Sequence, residues 1–462
     1  MAASADVIPA RPAWHEGRFS RWLTTSDHKD VGALSIGTAL AFFVLALIAE
    51  LIMHAHTAAR STGPGHREVV TLHLAAAAFL VLVPLVNGLG TYVVPLQVGA
   101  RRSALPRVMA FAYWLYALGG VTLTIAFFHA GTGRCGWACD APLTSAAGRG
   151  HTGDLWLLAL LMLAVAATIS AFAVVATIRT QHADGMTASH RAPFTRAFGL
   201  YAVLLMVSAL FAAVVATLLL LDRHGAPDFG ATTTRHLSWS FGYPELAVLL
   251  IPAGAIVAEV WRTLSNERRA AQSPYAAGTL AIAAVGVVPI GVLGLIALPS
   301  DGSAVLAVAV DTALVAIVLS LFAGLLYWWP KLFGRLLDEQ LAVETCFFVV
   351  IGLLVATVPL FVGSGRGDYT YPHFASWDTR AETSVVGLAT FAFGVLLFLF
   401  NVLRAHALRL GPRAGNDPWR GDTLEWYMTS PPPRWNFARV PPVTSSTPLR
   451  DLRRNLEERG EL

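Results

Sequence analysis

Residues 70–100 read VTLHLAAAAFLVLVPLVNGLGTYVVPLQVGA, and no aspartate, glutamate, lysine or arginine interrupts these 31 positions. A hydrocarbon layer about 30 Å thick is crossed by about 20 apolar residues in a helix, so the stretch predicts a membrane span over 70–96. Working outward, further runs of the same kind occur at 31–53, 105–128, 155–178, 197–221, 237–261, 276–298, 303–327, 342–363 and 384–403. Within a bilayer every backbone polar group must pair inside its own segment, which makes runs of this length helices. The 462-residue chain is 55% hydrophobic and only 13% charged, where a soluble protein carries about 25%. The expected fold class is an all-α integral membrane protein, a polytopic bundle of about ten helices. Residues 1–26 form a polar lead-in, 27–405 the bundle, and 406–462 a polar, proline-rich tail that cannot cross a membrane.

Positive charge gives the expected orientation. With both termini inside, 25 of the 33 lysines and arginines fall in inner segments, as the positive-inside rule requires of an even number of spans. The net charge of +4 therefore reads as topology, and the partners it implies are lipid and other membrane subunits, with no nucleic acid. Cys135 and Cys139 share the expected outer loop after the third span; an oxidising compartment permits a disulfide there, or two free thiols. Cys346 falls in an apolar run and reads as core. The first span reads as long and uncleaved.

Short polar motifs punctuate the spans. They include His28-Lys29-Asp30-Val31-Gly32, Thr71-Leu72-His73, Val94-Pro95-Leu96-Gln97-Val98-Gly99-Ala100, Leu105-Pro106-Arg107 and Tyr113-Trp114-Leu115. Further on come Asp154-Leu155-Trp156, Leu221-Asp222-Arg223, His236-Leu237-Ser238-Trp239, Tyr327-Trp328-Trp329-Pro330-Lys331 and Ser430-Pro431-Pro432-Pro433-Arg434-Trp435-Asn436-Phe437. In kind and order they resemble those of subunit I of the haem–copper respiratory oxidases (cytochrome c oxidase) over nearly the whole chain. The resemblance implies a bacterial plasma-membrane protein of the respiratory chain, with His73 in the place of a low-spin haem ligand.

Against that resemblance the ligand positions depart. The family's F-G-H-P-E-V-Y, with a copper-ligating histidine and a redox tyrosine, here reads Phe241-Gly242-Tyr243-Pro244-Glu245-Leu246-Ala247, so Tyr243 and Ala247 occupy those places. Ser300 and Asp301 fall where a histidine pair is expected, and Val308 and Val310 where one histidine per haem is expected. The acid that opens a proton path is replaced at Arg101-Arg102, and a haem-contacting arginine at Ile48, two before Glu50. Only 27 residues separate Asp301 from Trp328, room for one span, so two family helices are expected to be deleted.

A reactive copper needs three imidazoles, and valine offers iron no lone pair. The sequence therefore predicts no copper, either no haem or one haem held by His73, and no oxygen reduction by this chain alone. His54 and His56 lie on the same side as His73 but look interfacial. Glu245 is the carboxylate expected inside an apolar helix, and a buried acid must be protonated or paired; Asp311 and Glu344 are further candidates. Three roles remain open: an accessory, assembly or regulatory subunit of an oxidase complex, a single-haem electron carrier using His73, or a subunit completed by a partner chain that keeps a part in electron and proton transfer, through Glu245.

Overall fold

The computed structural model describes residues 19–58, 72–130, 151–224, 243–266, 302–364 and 379–461, together with Val69 and Thr279. Among them are eleven helices: α1 (Phe19–Thr24), α2 (His28–Ala58), α3 (Leu72–Gln97), α4 (Pro106–Ala130), α5 (His151–Thr180), α6 (Pro193–Arg223), α7 (Tyr243–Asn266), α8 (Gly302–Phe333), α9 (Glu339–Ser364), α10 (Thr379–His406) and α11 (Pro448–Glu458). Nine of these, α2 to α10, are long and apolar enough to cross a membrane. The protein is a multi-pass helical membrane protein. The span expected at 276–298 lies outside the described residues, as do Cys135 and Cys139.

From α4 to α10 each spanning helix packs on the next, α4 also packs on α2, and α10 returns to touch α2. Helix α3 stands inside this arrangement and touches α2, α5, α6, α7 and α8. Its position explains its composition, because a helix that is apolar all round is one buried on all sides. The most apolar stretches of α3 and α8 are 78% and 83% buried, against 33% for α10. The outer helices turn Phe111, Leu118, Phe128, Val207, Leu210, Phe211 and Leu396 outward, the surface expected of lipid-facing helices. Helices α9 and α10 approach backbone to backbone. A Cβ on Gly387 would lie 2.2 Å from the Ala356 nitrogen, and one on Gly352 2.3 Å from the Phe391 nitrogen, so only glycine fits this crossing.

A π-helical turn, Ala76–Leu82, interrupts α3. Its cause is Pro84, which has no N–H to offer the Leu80 carbonyl four residues earlier. The ladder shifts to a wider turn, with the Val83 N–H donating to the Ala78 carbonyl. The Tyr116 hydroxyl of α4 donates to the Leu80 carbonyl at 2.7 Å. A neighbouring side chain thus satisfies the carbonyl that proline orphans, the usual remedy in a membrane interior.

Candidate functional site

The scattered polar motifs converge at the two ends of the bundle. At one end Arg223, closing α6, places its Nε 2.6 Å from Asp154 Oδ1 in the first turn of α5, and Trp156, two residues along α5, is fully buried. At the other end the tail folds back onto the bundle. Lys331, near the end of α8, donates to the carbonyls of Met428 (2.7 Å), Asn416 (2.9 Å) and Thr429 (3.4 Å). The Trp419 indole N–H donates to the Tyr327 carbonyl at 2.9 Å, and that of Trp426 to the Tyr327 hydroxyl at 3.0 Å. The last carbonyls of α8, Lys331 and Leu332, have no intrahelical partner; the Tyr92 hydroxyl lies 3.2 and 3.3 Å from them. Gly334, at φ 72°, then turns the chain out of the helix.

Asn436 is the keystone of this layer. Its Nδ2 donates to the Ala100 carbonyl at 2.8 Å and to His28 Nε2 at 2.9 Å, while its Oδ1 accepts from Lys29 Nζ at 2.7 Å. His28 Nδ1 lies 3.0 Å from the Thr91 carbonyl and so carries the proton, leaving Nε2 as the acceptor Asn436 needs. One amide joins α2, the end of α3 and the tail. Its backbone is left-handed, φ 57°, a conformation asparagine tolerates better than most residues.

His73, in the first turn of α3, meets α2. Its Nδ1 lies 3.0 Å from the Ala46 carbonyl and its Nε2 3.2 Å from Glu50 Oε2. Ala46 and Glu50 are one turn apart on α2, so the ring is held between two successive positions of one helix face. A carbonyl only accepts, so Nδ1 bears a proton, while the Glu50 carboxyl faces the other ring nitrogen. Iron would need that same Nε2. As placed, the Glu50 carboxyl stands in front of that nitrogen, and a haem would have to displace it. Just along α2, Phe43 packs on Phe391 of α10, and Phe391 on Phe322 of α8.

The remaining expected site residues are partly visible. Val308 and Val310 lie in α8, and Tyr243 and Glu245 open α7, but the side chains of all four lie outside the described set; Ala247 is exposed, and Ser300 and Asp301 are not described. Among the described residues no group of three or more histidine, cysteine, aspartate or glutamate side chains could hold a metal. Glu344 is partly exposed and accepts from Gln340 at 3.0 Å, so it is not a buried acid. The carboxylate the sequence reading passed over is Glu259, fully buried in the same helix as Glu245; its place in the apolar run Ile256-Val257-Ala258-Glu259-Val260-Trp261 was the available signal.

Nine apolar spans among the described residues, with polar motifs that lock the ends and the tail of the bundle together, define a multi-pass helical membrane protein. The chain belongs to the family of cytochrome c and quinol oxidase polypeptide I, which residues 30–318 match. It is 30% identical to haem–copper oxidase subunit I+III of Aeropyrum pernix, over 92% of this chain and 62% of that protein; the chain thus spans less than two thirds of that relative. It is 29% identical to cytochrome c oxidase subunit 1 of Bacillus subtilis, over 93% of this chain and 82% of that one. It is also 29% identical to cytochrome c oxidase subunit 1 of Alkalihalophilus pseudofirmus, with the same two shares. The Bacillus match runs over 518 positions yet takes in only 93% of 462 residues, so stretches of that relative have no counterpart here.

Proposed function

We propose that this haem–copper oxidase subunit I-like protein does not reduce oxygen itself and serves as an accessory, assembly or regulatory subunit beside a complete oxidase. The observation that carries the reading is the His73 pair: the one histidine retained at a haem-ligand position has Glu50 Oε2 3.2 Å from its Nε2, where iron would bind. The rest of the ligand set points the same way. Tyr243 and Ala247, Ser300 and Asp301, and Val308 and Val310 stand at the family's metal and redox positions. Copper held by three imidazoles and haem held by two both lack donors, so the chain carries neither. What the chain keeps is the motif layer that binds the tail. A surface retained while a core is lost suits a protein selected for association with other membrane subunits. The stretches of the Bacillus relative without counterpart here support a deletion of spans, and the lysine and arginine distribution is the ground for an even total with both termini inside.

The test is iron, copper and haem content of the detergent-purified chain, with a reduced-minus-oxidised spectrum. Neither metal and no haem band is the expected result. About one haem per chain, lost in His73→Ala, would replace the reading with a one-haem electron carrier; stoichiometric copper would overturn it outright. Co-purification with other oxidase subunits from the native membrane is the positive counterpart.

A further inference from the structure

Two carboxyl groups with no role assigned above lie fully buried where the tail meets the bundle: Glu259 on α7, and Glu425 in the 3-10 turn Leu424–Tyr427. Glu259 is compensated. Its Oε1 accepts from Arg262 Nη2 at 3.1 Å, and its Oε2 from the Phe194 N–H at 3.3 Å, one of the unpaired donors of the first turn of α6. Glu425 is not. Its Oε1 accepts from Gln97 Nε2 at 2.9 Å and, at 3.4 Å, from the Trp328 indole. Its Oε2 is buried with no hydrogen-bond partner among the described residues. The Gln97 amide cannot turn to help, because its Oε1 accepts from Thr195 Oγ1 at 2.7 Å.

The charged and titratable groups around the pair are few. Helix α7 brings Arg262, which lies on Glu259, and α8 brings Tyr327 and Lys331. Lys331 adds positive field but holds three backbone carbonyls and makes no hydrogen bond to Glu425 among the described residues. The tail brings Asp417 and Asp422, and α11 brings Arg450 and Arg453, both on Asp422. Helix α3 offers the Gln97 amide, and the first turn of α6 a hydroxyl and a backbone N–H, while Arg196 in that turn is exposed. An ionised carboxylate with one bare, buried oxygen is costly unless it binds something; the nearby Thr423 hydroxyl favours the charged form, yet Thr423 Oγ1 is itself buried with no hydrogen-bond partner among the described residues.

We propose that Glu259 and Glu425 form a single-proton site, in which Glu259 keeps its charge against Arg262 and Glu425 binds one proton on Oε2 while the tail is docked. The ligand is a proton taken from the adjoining water; an O–H bond forms at Oε2 and no other group changes. The Glu425 carboxyl is pushed up to about 7, first by burial and next by the Glu259 charge, against the pull of the Gln97 amide. Docking the tail therefore takes up close to one proton between the ordinary glutamate range and about pH 7, and releases it above.

The experiment is infrared difference titration of the full-length, detergent-purified protein between about pH 5 and about pH 9, with and without 13C labelling of glutamate side chains. The expected result is a protonated-carboxyl carbonyl band, sensitive to D2O and moved by the label, that fades through about pH 7 and is absent in Glu425→Gln. In Glu259→Gln the midpoint should fall by about one unit or more, because a neighbouring negative charge is removed. A wild-type protein with no glutamate band changing over that range overturns the proposal whether or not the variants fold. So does a band unchanged in Glu425→Gln, or a midpoint unmoved in Glu259→Gln.

Discussion

Replacing Asn436 with alanine should release the tail from the bundle. The substitution removes two donations from Nδ2 and one charge-assisted bond to Oδ1. Lys29 is not stranded, since Asp27 Oδ1 stays 2.8 Å away and the Arg434 carbonyl 3.3 Å away. His28 loses the donor to its Nε2, a modest penalty. The Ala100 carbonyl and the charge-assisted bond to Lys29 therefore set the scale, at about 3 kcal/mol in all for an orphaned buried acceptor plus one bond to a charged group. That corresponds to roughly a hundredfold shift in the docking equilibrium, at about 1.4 kcal/mol per decade. Proteolysis of a segment that opens and closes quickly follows the open population, so cleavage within 406–462 of detergent-purified protein should accelerate by roughly that factor. Asn436→Asp should be at least as damaging, because a carboxylate cannot donate to the Ala100 carbonyl. A cleavage rate within twofold of wild type in both variants would refute the argument that this amide holds the tail.

Further outcomes follow from other contacts. Tyr116→Phe leaves the Leu80 carbonyl without its donor and should lower stability by about 1–3 kcal/mol, read as a drop in melting temperature; no change would mean another group takes over. Gly387→Ala forces a methyl to 2.2 Å from the Ala356 nitrogen and should cost about 1–3 kcal/mol or more, checked the same way, whereas alanine at the exposed Gly254 finds nothing within 4 Å and should be neutral or better. Tail docking should weaken as pH rises. Glu425 is raised from 4.5 to about 7 and Asp417, chiefly by burial, from 3.8 to about 6. Each stays protonated when docked but ionises when free, so the docked state loses ground from about pH 4 to about pH 7, by up to about 3 kcal/mol for Glu425 alone. Protease susceptibility of the tail at pH 5 and pH 8 measures it, and a tail more protected at the higher pH would contradict the sign.

The spans were legible because hydrocarbon imposes one solution on a long apolar run; α3 could be drawn from Val70–Ala100 alone. Pro84 announced an irregularity in that helix, but not that Tyr116, 36 residues on, would supply the missing donor. Asp154 and Arg223 were each visible as motifs and invisible as a pair, because pairing across 69 residues depends on α5 and α6 running antiparallel side by side. The tail's polar, proline-rich composition excludes a span without revealing that Lys331 and Tyr327 bind it, or that its own Asn436 binds the bundle. Glu259 is hard to single out beside Glu245 because Glu245 sits in the better-known motif, and the burial of Glu259 is set by α6 as well as by its own helix. His73 stands out in the sequence as the histidine at a haem-ligand position, but its closeness to Glu50 depends on which face of α2 it meets.

That face is fixed by the π turn. An α-helix advances about 100° per residue, so a turn that accommodates one extra residue rotates everything before it by that angle relative to everything after. Residues from Val83 onward lie in ordinary α-helical phase with Asn87 and Thr91, whereas His73 precedes the Ala76–Leu82 turn. The turn therefore acts as a phase shifter between the two ends of α3, and it sets the azimuth of the histidine independently of the packing around Gln97. Restoring regular winding with the same number of residues, as Pro84→Ala would permit, would swing His73 about a quarter of a turn away from Ala46 and Glu50, whereas deleting one alanine from Ala75–Ala78 would leave its azimuth almost unchanged. The direction in which this imidazole points is thus encoded not at position 73 but in the missing N–H of Pro84, eleven residues downstream.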